Sequence, residues 1–153
     1  LNKYFWGAFL LLLGVGQAFA AEVNVTDAWI RATAPGQDSA AVAMHITTQK
    51  DASIVKVSSP VSGHVEMHSM TQENGMMKMR ELDRFELKAQ QDVALGNKGT
   101  HIMLVGLTKP LVAGETVKIA LIFQFSDKHK EKIVVNAEIV PLTETYDEHM
   151  HHH

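Results

Sequence analysis

Asn74-Gly75 constrains this chain more than any other pair of residues. Both positions of a two-residue hairpin turn must accept positive φ, and Asn-Gly between strand-like runs is the strongest short hairpin signal. With that pair as the turn, Glu73 faces Met76, and counting back sets Met70 directly opposite Met79. Directly opposed residues share a face with Cβ atoms about 5 Å apart, and the diagonal pair His68 and Met79 lies at about 7–8 Å. A slip of one residue would turn the whole set to the other face.

The rest of the chain reads as strands too. Val23–Arg31 alternates and ends at the turn Ala34-Pro35-Gly36, and Ala40–Thr48 puts Val42, Met44 and Ile46 on one face. Ser53–Val57 stops at Ser58-Ser59-Pro60. After the hairpin come Arg84–Leu87, Asp92–Leu95, the turn Gly96–Gly99 and the apolar run His101–Leu107. Thr116–Phe125 and Lys132–Ile139 make a last hairpin across Ser126–Lys130. Short β-branched runs with Gly, Pro and Asn punctuation indicate an all-β sandwich or barrel of one domain. No helix is expected between the leader and the tail.

Chemistry concentrates between His64 and Met103. His68, Met70, Met79, His101 and Met103 follow the order H-x-M, eight residues, M, twenty-one residues, H-x-M. His101 and Met103, two apart on one strand, also share a face. Imidazole and thioether together, with no cysteine in the chain, suit Cu(I), since soft sulfur selects it and zinc would recruit thiolate or carboxylate. The missing cysteine also excludes thiol redox chemistry and a blue-copper centre. His64 and Glu66, on the same strand face as His68, are expected at the rim or behind the ligands. Met44, Met67, Met76 and Met77 are expected as core gap-fillers, and His45 and His129 as surface or satisfied residues.

This constellation resembles the periplasmic copper chaperones that assemble the CuA centre of cytochrome c oxidase, whose metal motif is H-x-M-x8-M-x21-H-x-M. The likeness extends to AWIRATAPG at 28–36, SSPVSGHVEMH at 58–68, MMKMR at 76–80 and GTHIMLVGLTKPL at 99–111, over about Val23 to Ile139. It implies a cupredoxin-like Greek-key β-sandwich or barrel at residues 21–141. It also implies His68, Met79, His101 and Met103 as Cu(I) ligands, with Met70 a further or alternative one. The site is expected at the surface end of the sandwich.

The chain ends carry separate signals. Lys3, the apolar run Tyr4–Val15 and Ala18-Phe19-Ala20 read as a signal peptide cleaved after Ala20, hence a periplasmic protein with no stable membrane insertion. The apolar run is too short for a bilayer core of about 30 Å. At the other end, residues 142–153 form a tail whose His149, His151, His152 and His153 are expected to attract Cu(II). Purification tags share that composition, and the retained signal peptide favours a native tail.

Several functions are disfavoured. A net charge of −3 without a basic stripe disfavours nucleic acid. No nucleophile elbow, dinucleotide fingerprint or phosphate loop is present, and Gly96–Thr100 lacks the following helix that a phosphate loop needs. A thioether-dominated set traps Cu(I) instead of cycling it, so no enzyme is expected. The expectation is a monomeric Cu(I) carrier. Its acceptor would be the CuA-bearing oxidase subunit or a thiol-bearing copper assembly factor. The alternative is a copper-buffering or resistance protein without a specific acceptor.

Overall fold

The computed structural model describes residues 22–96 and 99–143. The expected signal peptide, Asn97 and Lys98 of the expected turn, and the tail histidines lie outside them. Ten strands follow in order: β1 Val23–Arg31, β2 Ser39–Thr48, β3 Ala52–Ser58, β4 Ser62–Glu73, β5 Met76–Leu82, β6 Phe85–Leu87, β7 Val93–Leu95, β8 His101–Leu107, β9 Thr116–Phe125 and β10 Lys130–Val140. Among the described residues there is no helix.

All ten strands belong to one sheet ordered β5-β4-β8-β2-β1-β10-β9-β3-β6, with β7 paired to β2. Every pair is antiparallel except β1 with β10. The inner face carries the core, and period-two alternation is what places it there. Val117, Ile119, Leu121, Phe123 and Phe125 are all buried along β9, as are Val42, Met44 and Ile46 along β2. Each such side chain contributes about 1.5–3 kcal/mol on burial.

Two local departures from regular pairing shape the opposite face. In β1 the partners shift between Thr26 and Trp29, where two residues oppose one of β2, and Asp27 takes φ 53°. This bulge reverses the alternation. Val23 and Val25 point inward before it, and Ile30 does so after it at 0% exposure, so Trp29 turns outward beside Ala43. Gly96, at φ +110°, lies so close to β2 that a Cβ would sit 2.6 Å from both Cα and Cβ of Ala43. Only glycine admits that approach.

The final hairpin is tighter than expected, since Lys130 already pairs with Gln124 and Lys128 turns the chain at φ 74°. Met44 and Met67 are core residues as anticipated. Met76 and Met77 are not: they are 66% and 57% exposed, because β5 is an edge strand that none of the other described residues covers.

Candidate metal centre

The β4–β5 turn forms as the Asn-Gly rule requires, with φ 51° at Asn74 and 77° at Gly75. The ladder that follows pairs Glu73 with Met76 and Met70 with Met79. On the other side of β4, antiparallel pairing with β8 opposes His68 to His101 and Glu66 to Met103. Strand β2 continues the surface, with Ala41 opposite Met103, and β1 adds Trp29 opposite Ala43. Five neighbouring strands, drawn from three separate stretches of sequence, therefore build one patch.

That patch lies on the outward face of the sheet, since Met67, Ile102 and Leu104 between its residues fill the core. On that face the residues gather where His101 opens β8 and where Met70 and Met79 extend past it toward the β4–β5 turn. Strand alternation decides the location: ligands at every second residue must take the face the core residues leave.

Met70, Met79, His101 and Met103 line one concavity of about 580 Å³. Trp29 and Arg31 form its far wall, with the Arg31 guanidinium 5.8 Å from the Trp29 ring centroid. Sequence reasoning missed both residues. The period break at Thr26-Asp27 was their only signal, because plain alternation would have turned Trp29 into the core.

His68 is not part of that lining. It stands beside His101, the two rings edge to face with centroids 5.3 Å apart. Its Nε2 lies 2.7 Å from Glu66 Oε2. An ionised carboxylate only accepts, so Nε2 donates here, and the tautomer that does so keeps its lone pair on Nδ1. That Nδ1 is buried without a hydrogen-bond partner.

The second oxygen of Glu66 meets His64 Nε2 at 3.0 Å. Hydrogen bonds from His64 and then from His68 hold the Glu66 carboxyl below its ordinary value. Glu66 thus ties an exposed imidazole to a half-buried one, and His64 stands at the rim. His101, 8% exposed, has Nδ1 3.4 Å from the Gly99 carbonyl oxygen. A proton on Nδ1 points there and leaves the Nε2 lone pair free.

Histidines that bind metals commonly donate their other ring N–H to a carboxylate or a backbone carbonyl. Both rings have such a partner, and three thioethers stand beside them. The donor set is neutral and soft, with no competing ammonium or carboxylate among the four lining residues named. Its chemistry fits a soft monovalent metal. His45 and His129 lie elsewhere in hydrogen-bonded networks, with Asp92 for the first and with Asp127 and Glu22 for the second.

Residues 23–139 match the family described as "Putative lipoprotein LpqE-like". The chain belongs to the LpqE-like family. A relative from Leifsonia xyli subsp. xyli, "Putative lipoprotein Lxx21020", is 32% identical over 114 residues, covering 74% of this chain and 68% of the relative.

Among solved structures, the copper-bound PCuAC domain from PmoF2 superposes with a TM-score of 0.64 at 17% identity, over 81% of this chain and 97% of that one. Apo-DR1885 from Deinococcus radiodurans gives a TM-score of 0.56 at 27% identity, over 80% of this chain and 82% of that one. Its Cu(I) form gives 0.59 at 24% identity, over 84% of each. This LpqE-like chain therefore has the cupredoxin-like all-β fold of the PCuAC domains.

Proposed function

We propose that this LpqE-like protein is an exported Cu(I) metallochaperone. In this reading His68, Met79, His101 and Met103 hold the metal, with Met70 as a further thioether. The observation that carries it is the buried, unpartnered Nδ1 of His68 beside the His101 ring and the thioether-lined concavity. A buried nitrogen left without a partner costs about 1–3 kcal/mol, and a metal ion on its lone pair would offset that. The PCuAC domain of PmoF2 is copper-bound and DR1885 has a Cu(I) form, which supports copper as the cargo. The family's description as a lipoprotein supports export to the cell envelope.

Delivery follows from affinity order. Thioethers and neutral imidazoles bind Cu(I) more weakly than thiolates, and each tenfold step is worth about 1.4 kcal/mol. Metal therefore runs downhill to a cysteine-containing acceptor without an energy source. The CuA-bearing subunit of cytochrome c oxidase, or a thiol-bearing factor upstream of it, has that chemistry. The protein acts as a periplasmic carrier and not as an enzyme.

X-ray absorption of the Cu(I)-loaded protein should count thioether sulfur and imidazole nitrogen neighbours together, with at least as many sulfurs as nitrogens. A purely nitrogen and oxygen shell would overturn the assignment. Mixing the loaded protein with a reduced, metal-free CuA domain should move the copper to that domain. Copper that stays in place would leave a buffering protein.

A further inference from the structure

The β4–β5 hairpin has two chemically distinct faces. On one, Glu73 bridges Lys78 at 3.2 Å and also bonds Arg80, so ion pairs fasten the edge strand to β4. On the other, the register sets Met79 opposite Met70 and Met77 opposite Gln72. Met77 and Met79 are two residues apart and share that face, the face of the concavity.

Met77 plays no part in the lining and is 57% exposed, beside Met79 at 54%. Exposed apolar side chains on a flat edge strand carry an aggregation hazard, so an unbroken front of thioethers calls for a use. Exposure rises along the row, from buried His101 through half-buried Met70 to Met79 and Met77.

We infer that Met77 is an exchange ligand for Cu(I), pairing with Met79 outside the concavity during uptake and release. This rests on the proposed Cu(I) site and extends it outward. Side chains at i and i+2 of a strand are about 7 Å apart at their Cα atoms. Methionine's three rotatable bonds let both sulfurs swing to one ion between them.

In the exchange one Cu–S bond to Met77 forms while one bond to an inner ligand breaks. The metal stays Cu(I), the thioether is neutral before and after, and no proton or electron moves. Met79 remains bound throughout and acts as the pivot. An acceptor ligand then meets copper at the exposed edge of the sheet instead of inside the concavity.

The test is stopped-flow transfer of Cu(I) from the full protein to a colourimetric Cu(I) chelator, with Met77→Leu and Met76→Leu compared with wild type. Met76 is as exposed but lies on the ion-paired face. Met77→Leu should keep the equilibrium affinity within about twofold, while loading and release both slow by about fivefold or more. Met76→Leu should leave the rates unchanged.

Equal rates in Met77→Leu and wild type would overturn the inference, as would equal slowing in Met76→Leu. A tenfold loss of affinity in Met77→Leu would also overturn it, by making Met77 a permanent ligand. If wild type itself fails to compete for Cu(I), the parent reading falls and this one with it. Unchanged rates in Met77→Leu, where wild type binds tightly, remove only the exchange role.

Discussion

His68 and His101 are directly opposed across the β4–β8 ladder, with their rings edge to face at 5.3 Å. Their ring nitrogens are disposed differently. Glu66 takes the Nε2–H of His68 and frees Nδ1, while the Gly99 carbonyl lies nearest Nδ1 of His101 and frees Nε2. Two neighbouring imidazoles thus offer opposite nitrogens. With two imidazoles and three thioethers gathered there, the loss of a single donor can be read one side chain at a time.

Met79 allows that test with little risk to the fold. It is 54% exposed on an edge strand, and Met→Leu at similar volume costs under about 1.5 kcal/mol even in a core. Met79→Leu should melt within a few degrees of wild type and bind Cu(I) at least about tenfold more weakly, a difference of about 1.4 kcal/mol. Competition against a Cu(I) chelator reads the affinity. Equal affinity would remove Met79 from the site.

Glu66 should act through His68 and not on the metal. Replacing a carboxylate behind a metal-binding histidine typically costs about 10–100-fold in affinity. Glu66→Ala should show a loss of that size, and Glu66→Gln should recover part of it, because an amide oxygen still accepts from Nε2–H. Nitrogen NMR of the His68 ring should show the Nε2–H form in wild type and a tautomer mixture in Glu66→Ala. A fixed tautomer in that variant would contradict the role.

Much of this arrangement was legible in the sequence because local rules set it. Asn74-Gly75 admits one tight turn, and the turn dictates that Met70 opposes Met79. The alternation of Val42, Met44 and Ile46 needs no tertiary knowledge either. The outward turn of Trp29 was hidden, because it depends on an extra residue at Asp27 whose effect shows only against the register of β2. The exposure of Met76 and Met77 was hidden for another reason. An edge strand and a central strand can share one sequence pattern, and what covers them is decided by distant parts of the chain. The hydrogen-bonding state of His68 Nδ1 likewise follows from a contact with Glu66 that composition cannot show.

A pH signature should arise far from the site, at His129. Asp127 and then Glu22 bond its two ring nitrogens and raise its pKa above 6.5, and Phe125 stacks on the ring at 4.4 Å. The same bond from His129 lowers the Asp127 pKa below 3.8. A raised imidazole stabilises the fold fully below its unfolded value and loses that as pH rises through the folded value. A lowered carboxyl stabilises above its unfolded value and loses that as pH falls through the folded value. The pair should therefore count most between about pH 4 and pH 6.5. Asp127→Asn should lower the melting temperature in that window and converge with wild type at alkaline pH. A constant gap across pH would exclude this origin.

Gly96 should be more sensitive than other glycines at positive φ. A Cβ there would meet the Ala43 Cα and Cβ at 2.6 Å, whereas one at Gly36, φ +81°, would meet nothing within 4 Å. Left-handed strain alone costs about 1–3 kcal/mol, and Gly36→Ala should show only that. Gly96→Ala should be visibly worse in denaturant melts, because the rigid β2 backbone cannot yield. It should also weaken Cu(I) binding, since both Gly96 and Ala43 border the concavity. Equal destabilisation of the two variants would mean that the segment after β7 shifts freely.

Trp29 should report the metal directly. The sequence holds two tryptophans, Trp6 and Trp29, so protein lacking residues 1–20 has Trp29 alone. Its ring is 4% exposed and faces the same concavity as Met70, Met79, His101 and Met103, with the Arg31 guanidinium over it. A heavy closed-shell cation such as Cu(I) or Ag(I) lodged among those thioethers would lie near the indole and quench its emission. Titration of the shortened protein with Ag(I) should lower Trp29 fluorescence to an endpoint near one equivalent. In Met79→Leu the curve should need about tenfold more free metal to reach its midpoint, matching the chelator result. In Trp29→Phe the signal should vanish while chelator competition still shows tight Cu(I) binding, because the indole is wall and not ligand. If emission were unmoved at saturation in the shortened protein, the ion would have to sit away from the concavity, and the five-strand site would be wrong.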